Sequence, residues 1–598
     1  MRRREFVLGS LVTTLLAACG GSAAGGGPDG GASPDGAAGD GPNPEGGPPL
    51  PTTAPNILVL IVDEMRVPDG FPMNVPQSFA QAIPWMLQLW SKSACFTSHF
   101  TAASDCSPSR ASIVTGLYAQ QHCLFTTRGT GSGSPSLEPA FTTYGTMLRA
   151  VGYDTYWFGK WHLSDLPLSC PTSNPLDAYG FDGGTCPDPI GIEGQGQRKD
   201  GDIATQFTTW LAARSASDKP WCATVSFVDP HDIQWFWTGS DTITDTATVA
   251  GETGSQAAPP TFGYDDAYFA QFGGNPVANF ENPFAPVAPK PAMLEQFANF
   301  TMGTWGPISY SQSDLVPPEY NGTTTKPFSY WYKLLEVYEY VHGLVDQAIG
   351  QVLTQLWSTS SPFASNTIII FTSDHGEYAG AHGIHGKGGG AYEEALRVPL
   401  AVYDPTGYYV RTTGVRTGLT SSVDLTPLLL TLANKASTSL WQPPDAPYAY
   451  LSARFDITSL LISPAAAGRS FILYSTDELL SGIEPSVASH VVTYRTSTGK
   501  LSAYNHWESG TITIDTSDGQ EFEYYDLVAD PGEVNNTAAS AATAATYKTI
   551  LLGANADGTS GVIATEMHAA LPAAMTSAQQ AAIAAYTAYI NGSVSARF

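Results

Sequence analysis

Asn56-Ile57-Leu58-Val59-Leu60-Ile61-Val62 is an unbroken apolar run that stops abruptly at Asp63-Glu64. A strand buried on both faces has this pattern, whereas a half-exposed strand alternates apolar and polar residues. Further runs end the same way. Tyr153 to Phe158 leads into Gly159-Lys160-Trp161-His162, Ala223 to Val228 into Asp229-Pro230-His231-Asp232, and Thr367 to Thr372 into Ser373-Asp374-His375-Gly376. Between them lie helical patterns, the clearest being Leu334, Tyr338, Val341, Val345, Val352 and Leu356 at three- and four-residue spacings. Strands alternating with helices predict an α/β fold: a doubly wound, mostly parallel sheet flanked by helices. In such sheets the ligand crevice lies beyond the carboxyl ends of the strands, where these Asp, His and Lys residues fall.

Past about residue 440 the pattern changes to shorter alternating runs, His490 to Arg495, Leu501 to Trp507 and Thr511 to Ile514, which predict a small antiparallel sheet. Tyr524-Tyr525-Asp526-Leu527 and Asp530-Pro531-Gly532-Glu533 follow, and the Ala-rich tail from about 538 reads as terminal helices. The expected organisation is a catalytic domain over 56–440, with an irregular Pro-, Gly- and aromatic-rich insertion at about 233–330, and a C-terminal subdomain over 441–598. Trp235, Phe236 and Trp237 in that insertion are expected to be packing anchors.

The amino terminus carries its own signals. Met1-Arg2-Arg3-Arg4-Glu5-Phe6-Val7 supplies a basic start of twin-arginine type, and the apolar stretch that follows ends in Leu16-Ala17-Ala18-Cys19, which looks like a bacterial lipobox. Residues 1–19 are therefore expected to be a lipoprotein signal peptide, with Cys19 lipidated as an anchor to the membrane. Residues 20–55, nearly all Gly, Pro, Ala, Asp and Ser, cannot bury enough apolar area to offset chain entropy and read as a tether. The expected location is the periplasm or cell surface. Disulfides are permitted there, and Cys170 with Cys186, flanking a Pro/Gly-rich loop, is the expected pair. The net charge of -27 argues against nucleic acid as a partner, while leaving room for a local basic pocket.

The chemistry centres on Cys106-Ser107-Pro108-Ser109-Arg110-Ala111-Ser112-Ile113-Val114-Thr115-Gly116. Ser107 is expected to cap a helix and Pro108 to occupy its first turn, so that the helix start and Arg110 form an oxyanion pocket with Cys106 at its mouth. Cys-x-Pro-Ser-Arg followed by Thr-Gly resembles the first signature of the type I sulfatases, within the alkaline-phosphatase-like superfamily. Gly152-Tyr153-x-Thr155-x-x-Phe158-Gly159-Lys160-Trp161-His162 resembles the second, with Phe158 where a smaller apolar residue is usual. Asp105 stands where the family usually has an apolar or small hydroxyl residue.

The resemblance implies that a separate maturation enzyme oxidises Cys106 to formylglycine. It implies one divalent metal, calcium first with manganese or magnesium behind it, held by Asp63, Glu64, Asp374 and His375 with residue 106 at the same ion. Carboxylate oxygens suit such a cation. Arg110, Lys160 and Lys387 would hold the sulfate oxygens, Asp374 would act as base, His231 with Lys387 would protonate the leaving alkoxide, and His162 would deprotonate the second hydroxyl of the aldehyde hydrate. His382 and His385 are expected to be structural or peripheral.

The activity implied is hydrolysis of a sulfate monoester, on a small molecule or a glycan, to alcohol and inorganic sulfate. A phosphonate monoester or phosphodiester hydrolase on the same scaffold is the first alternative, and a surface-tethered binding protein without catalysis the second. A thiol enzyme using Cys106 directly with a nearby histidine is a third. A histidine-rich two-zinc phosphatase does not fit, because the histidines lack paired metal spacing at the strand ends.

Overall fold

The computed structural model describes residues 54–128, 135–171, 173–235, 276–281, 290–304, 329–478, 486–508, 511, 513–517 and 519–596, with short strand pairs between 242 and 257. The export signal, Cys19, the tether up to residue 53, Phe236, Trp237 and most of the insertion lie outside the described residues. The strands that position the site are β1 (Asn56–Val62), β2 (Ala94–Phe96), β3 (Ala103–Ser104), β4 (Asp154–Gly159), β5 (Asp182–Gly183), β6 (Trp221–Ser226), β7 (Thr367–Ser373), β8 (Leu400–Tyr403) and β9 (Gly414–Arg416). Four more strands lie towards the C-terminus: β10 (Ile472–Thr476), β11 (His490–Arg495), β12 (Gly499–Asn505) and β13 (Glu521–Asp526). The helices needed are α1 (Cys106–Thr115), α2 (Gln195–Ala212), α3 (Ser329–Leu356) and α4 (Leu425–Ala433).

The main sheet has eight strands in the order β9-β2-β8-β7-β1-β6-β4-β5. Its centre is parallel: β1 pairs with β7 on one side and β6 on the other, and β4 runs parallel to β6. Only β8 breaks the direction, antiparallel to both β7 and β2. The mostly parallel α/β sheet read from the sequence is thus the observed fold.

The apolar run of β1 explains its place at the centre. Ile57, Val59 and Ile61 enter the core on one face with Ala111, Val114 and Leu428, while Leu58, Leu60 and Val62 enter the core on the other with Phe207, Ile349 and Leu353. Every residue of β1 is buried, so helices must cover both faces. Each fully buried Val, Leu or Ile stabilises by roughly 1.5–3 kcal/mol. The 28-residue α3 lays its spaced apolar face on α2 and the sheet, with Val345, Val352 and Leu356 buried.

Register fixes where the strands end. Val62 lies opposite Ser373, Ile61 opposite Ser226, and Ser226 opposite Gly159. The polar residues that follow β1, β7, β6 and β4 therefore emerge side by side.

The second sheet has five strands in the order β13-β12-β11-β10-β3. The run at His490 to Arg495 is a strand as expected. Thr511 to Ile514 is not: Trp507 and Ile514 form only an isolated bridge there. The sequence also concealed that β3, from the segment just before Cys106, joins this sheet, parallel to β10, with Ala103 opposite Ser475. The two-residue β3 ends just before Asp105 and Cys106. The reactive segment is thereby anchored to the second sheet. Cys170 and Cys186 are bonded as the sequence suggests, while Cys95, Cys106, Cys123 and Cys222 are free and buried.

Candidate active site

Cys106 is the first residue of α1, and all ten residues of that helix are buried. The expected cap is corrected here: Asp105, not Ser107, is the N-cap residue, and it makes no side-chain cap hydrogen bond. Ser107 serves elsewhere, its Oγ donating to the His162 carbonyl at 2.8 Å and accepting from Arg128 N–H at 3.0 Å. Asp105 accepts from Ser104 Oγ at 2.8 Å and hydrogen bonds with Glu478. Gly388 packs so closely on Asp105 that a Cβ there would lie 2.5 Å from Oδ1, and its φ of +71° also favours glycine.

Four side chains converge on the Cys106 thiol. His375 Nε2 lies 3.2 Å from Sγ, Lys387 Nζ 3.3 Å, Asp63 Oδ1 3.6 Å and Lys160 Nζ 3.7 Å. His375 Nε2 is also 3.8 Å from both Asp63 Oδ1 and Asp374 Oδ1. Ligand atoms of Asp63, Cys106, Asp374 and His375 fall within 4.8 Å of one another, and all four residues are buried. Burial works against ionising Asp63, but Lys160 and Arg110, helped by Lys387, hold its carboxyl well below the usual range.

Arg110 takes a different place from the one expected of it. Its Nη2 donates to Asp63 Oδ2 at 2.8 Å, its Nε to Asp374 Oδ2 at 2.9 Å, and its Nη1 to the Lys160 carbonyl and Ser226 Oγ. The guanidinium is fully buried and bonds both carboxylates, so it aligns them. Lys160 Nζ also reaches Asp63 Oδ2, at 2.7 Å. With the Oδ2 atoms so occupied, the Oδ1 atoms of Asp63 and Asp374 are left turned towards His375 and Cys106. This donor set fits a divalent cation: hard carboxylate oxygens, one imidazole nitrogen and residue 106, with Arg110 and Lys160 already orienting the carboxylates.

Glu64 stands apart from those four. Its backbone has a φ of +71°, its N–H donates to Asp374 Oδ1 at 3.1 Å, and its Oε2 accepts from Lys387 at 2.8 Å and lies 3.8 Å from His231 Nε2. Asp63, Glu64 and His231 form a second close group, so Glu64 meets the metal position through its shared neighbour Asp63. Burial, opposed by Lys387 and reinforced by Glu377, holds the Glu64 carboxyl well above its usual range.

The two outer histidines are held in defined ways. His162 Nε2 lies 2.6 Å from the Arg128 carbonyl, which can only accept, so Nε2 carries the proton and Nδ1 keeps a lone pair without a partner among the described residues. Burial first, then Lys160, keep this imidazole neutral. The backbone N–H of His162 donates to Asp188 Oδ2 at 2.7 Å, and the backbone N–H of Trp161 to Oδ1 of the same carboxylate. His231 is likewise buried and kept neutral, by burial and then by Lys387 and Lys160. Its ring presses on Gly191, where a Cβ would lie 2.7 Å from the imidazole. Trp235 donates from its Nε1 to the Gly191 carbonyl at 2.8 Å, the packing role expected of it.

The structure thus brings together Asp63, Glu64, Cys106, Arg110, Lys160, His231, Asp374, His375 and Lys387, and sets His162 beside Ser107 and Arg128. His382 and His385 bond elsewhere, His382 to Glu281 and His385 to the Ile233 carbonyl. Sequence reasoning missed Asp188, Ser226 and Glu377. Glu377 accepts from Ala379 and Gly386 N–H and so shapes the loop bearing Lys387. Its position three residues after Asp374 was the only local signal. Asp188 and Ser226 had none, because their partners are distant in sequence.

Comparison with known proteins agrees with this geometry. The sulfatase family profile matches residues 55–435. The chain is 25% identical over 354 residues to the uncharacterized sulfatase YidJ of Escherichia coli K12, covering 57% of this chain and 60% of that protein. It is 26% identical over 426 residues to the choline-sulfatase of Rhizobium meliloti, covering 64% and 68%. Among solved structures, the phosphonate monoester hydrolase of Silicibacter pomeroyi shares the fold with a TM-score of 0.54 at 19% identity, covering 82% of this chain and 93% of that one. With a family match over more than half its length and the signature residues gathered around one cysteine, this chain belongs to the sulfatase family.

Proposed function

We propose that this protein hydrolyses sulfate monoesters, of a small molecule or a glycan, to the alcohol and inorganic sulfate. The observation that carries this reading is the set around Cys106: two lysines and an imidazole within 3.7 Å of Sγ, backed by two buried carboxylates that Arg110 aligns. The basic residues suit an anionic ester, and the carboxylates suit a cation that would hold its oxygens.

Asp63, Asp374 and His375 would hold the divalent metal, with Glu64 adjoining and calcium the first choice. When bound, the metal supplies Lewis acidity towards the ester oxygens and towards residue 106. Residue 106, once oxidised to formylglycine by a maturation enzyme, would supply as its hydrate one hydroxyl as nucleophile towards sulfur and a second whose deprotonation would expel sulfate and restore the aldehyde. Burial and the Asp63 carboxylate push the unmodified thiol up to about 12, against Lys160 and Lys387, which makes the plain cysteine a poor nucleophile.

The remaining roles are proposed on the resemblance, with these contacts in support. Lys160 and Lys387 face Cys106 and can hold ester oxygens. Arg110 keeps Asp63 and Asp374 aligned, and Asp374 would act as base for the attacking hydroxyl. His162 offers the Nδ1 lone pair needed to take the second hydroxyl's proton. Lys387, with His231 beside it at the same Glu64 Oε2, would protonate the leaving alkoxide.

We further propose that the chain is an exported lipoprotein held by a lipidated Cys19, on the strength of Leu16-Ala17-Ala18-Cys19 and the Gly/Pro tether. Among the described residues no helix is long and apolar enough to cross a membrane.

The deciding experiment compares turnover of p-nitrophenyl sulfate with that of a phenyl phosphonate monoester, alongside peptide mass across residue 106. Sulfate turnover that disappears in Cys106→Ala, together with an aldehyde at 106, is the expected result. Phosphonate preferred by orders of magnitude would move the chain to the alternative hydrolase.

A further inference from the structure

The backbone around His231 is clamped to the start of α2. Asp200, in the second turn of α2, is buried, and its two oxygens accept from consecutive backbone groups of the other segment, Oδ1 from Val228 N–H at 2.8 Å and Oδ2 from Asp229 N–H at 3.0 Å. Asp232 returns the contact. Its Oδ2 accepts from Gln197 N–H, in the first turn of α2, at 3.0 Å. Residues on both sides of His231 are thus tied to one helix.

The His231 ring is held from the same place. Gly191 lies against the imidazole, where a Cβ would come within 2.7 Å of Cε1. Gln195, the first residue of α2, fixes Gly191: its Oε1 accepts the N–H of Gly191 at 2.7 Å and that of Ile192 at 3.1 Å. The Trp235 indole, donating to the Gly191 carbonyl, closes the other side.

The choice of a carboxyl at position 200 sharpens this reading. Burying a carboxyl without a cation costs stability, and among the described residues Asp200 makes no ion pair. An apolar residue would pack α2 there at less cost in free energy. What the carboxyl adds is the pair of hydrogen bonds to the backbone two and three residues before His231.

We propose that Asp200 and Gly191 are positioning residues for His231: Asp200 fixes the backbone that leads into it, Gly191 sets the place of its ring, and together they keep His231 beside Lys387 at Glu64 Oε2. Neither residue is among the groups that converge on Cys106 Sγ. The inference rests on the hydrolytic reading above, in which Lys387 and His231 serve the leaving alkoxide.

The test is the dependence of kcat/KM on the leaving group, measured with p-nitrophenyl sulfate and phenyl sulfate on the matured, metal-loaded enzyme. p-Nitrophenoxide leaves readily without a proton, whereas the more basic phenoxide needs one. Asp200→Asn keeps the size of the side chain but turns an amide NH2 towards one of the two backbone N–H groups. In Asp200→Asn and in Gly191→Ala, turnover of phenyl sulfate should fall about ten-fold and that of p-nitrophenyl sulfate less than about two-fold. His231→Ala should separate the two esters further still. Loss of folded protein lowers both esters alike, so their ratio distinguishes positioning from stability. Amide exchange over residues 227–232 should also be faster in folded Asp200→Asn than in the wild type. If Asp200→Asn does not fold, Gly191→Ala decides by the same ratio. The inference is overturned if the folded variants lower both esters equally, or neither, while His231→Ala still separates them, or if exchange over 227–232 is unchanged. A wild type that turns over neither sulfate, or a His231→Ala variant that treats the two esters alike, would instead overturn the hydrolytic reading of this site, and this inference with it.

Discussion

Arg110 and Asp63 are joined by a buried ion pair of 2.8 Å between Nη2 and Oδ2, with both side chains fully excluded from solvent. The same guanidinium reaches Asp374 through Nε, so its planar fork spans both carboxylates. Arg110→Lys keeps the charge but cannot bond both at once. We expect kcat/KM for p-nitrophenyl sulfate to fall about 100-fold, with a matching loss of bound divalent metal measured by elemental analysis. Wild-type metal content and turnover in this variant would show that the fork is not what aligns the carboxylates.

Metal removal gives an independent reading. Chelation should abolish turnover, and calcium should restore it. Calcium should also stabilise the fold by linkage, by about 2.7 kcal/mol at a free concentration of 100 times Kd. A rise in melting temperature with calcium checks this. Undiminished turnover after complete chelation would remove the metal from the mechanism and revive the thiol alternative.

His122 supplies a pH dependence away from the site. Burial pushes its imidazole down to about 3, and its ring is engaged by Leu124 N–H and Ser112. The folded state therefore holds it neutral, while the unfolded chain takes up a proton near pH 6.5. Its stabilising contribution is whole above that value and declines as pH falls from 6.5 towards 3. Between pH 6.5 and 5 this one group should cost about 2 kcal/mol. Chemical denaturation of His122→Gln should show a shallower acid-side loss than the wild type, and parallel pH curves would contradict the assignment.

The Cys170–Cys186 bond closes a loop of 16 residues in sequence. Chain entropy predicts that its loss lowers stability by about 3 kcal/mol. Denaturant titration of the double Ser variant should show this shift, with turnover near that of the wild type, because neither cysteine touches the residues around Cys106.

Much of the site was readable because each group follows a strand whose apolar run is visible in the chain. Asp63, Lys160, His231 and Asp374 all stand just past such runs, and parallel pairing of buried strands brings their ends together. The pairing of Cys170 with Cys186 was readable for a similar reason, since both flank one short loop. Ser107 misled, because a serine beside a helix start is an ordinary cap, and only the distant His162 carbonyl and Arg128 N–H draw it away. Thr511 to Ile514 misled because its pairing is limited to one bridge with Trp507 and the hydrogen bonds flanking it.

The sequence by itself determined the α/β class, the family and the list of groups gathered at the site, because burial periodicity and short signatures are local properties of the chain. Only the tertiary structure decided that Arg110 bonds both Asp63 and Asp374, and that Glu64 turns to Lys387. It alone placed Asp188, Ser226 and Glu377, and it anchored the segment before Cys106 to the second sheet through β3. Those outcomes depend on which distant donor meets which acceptor once water is excluded, and contacts across hundreds of residues leave no periodic trace in the chain.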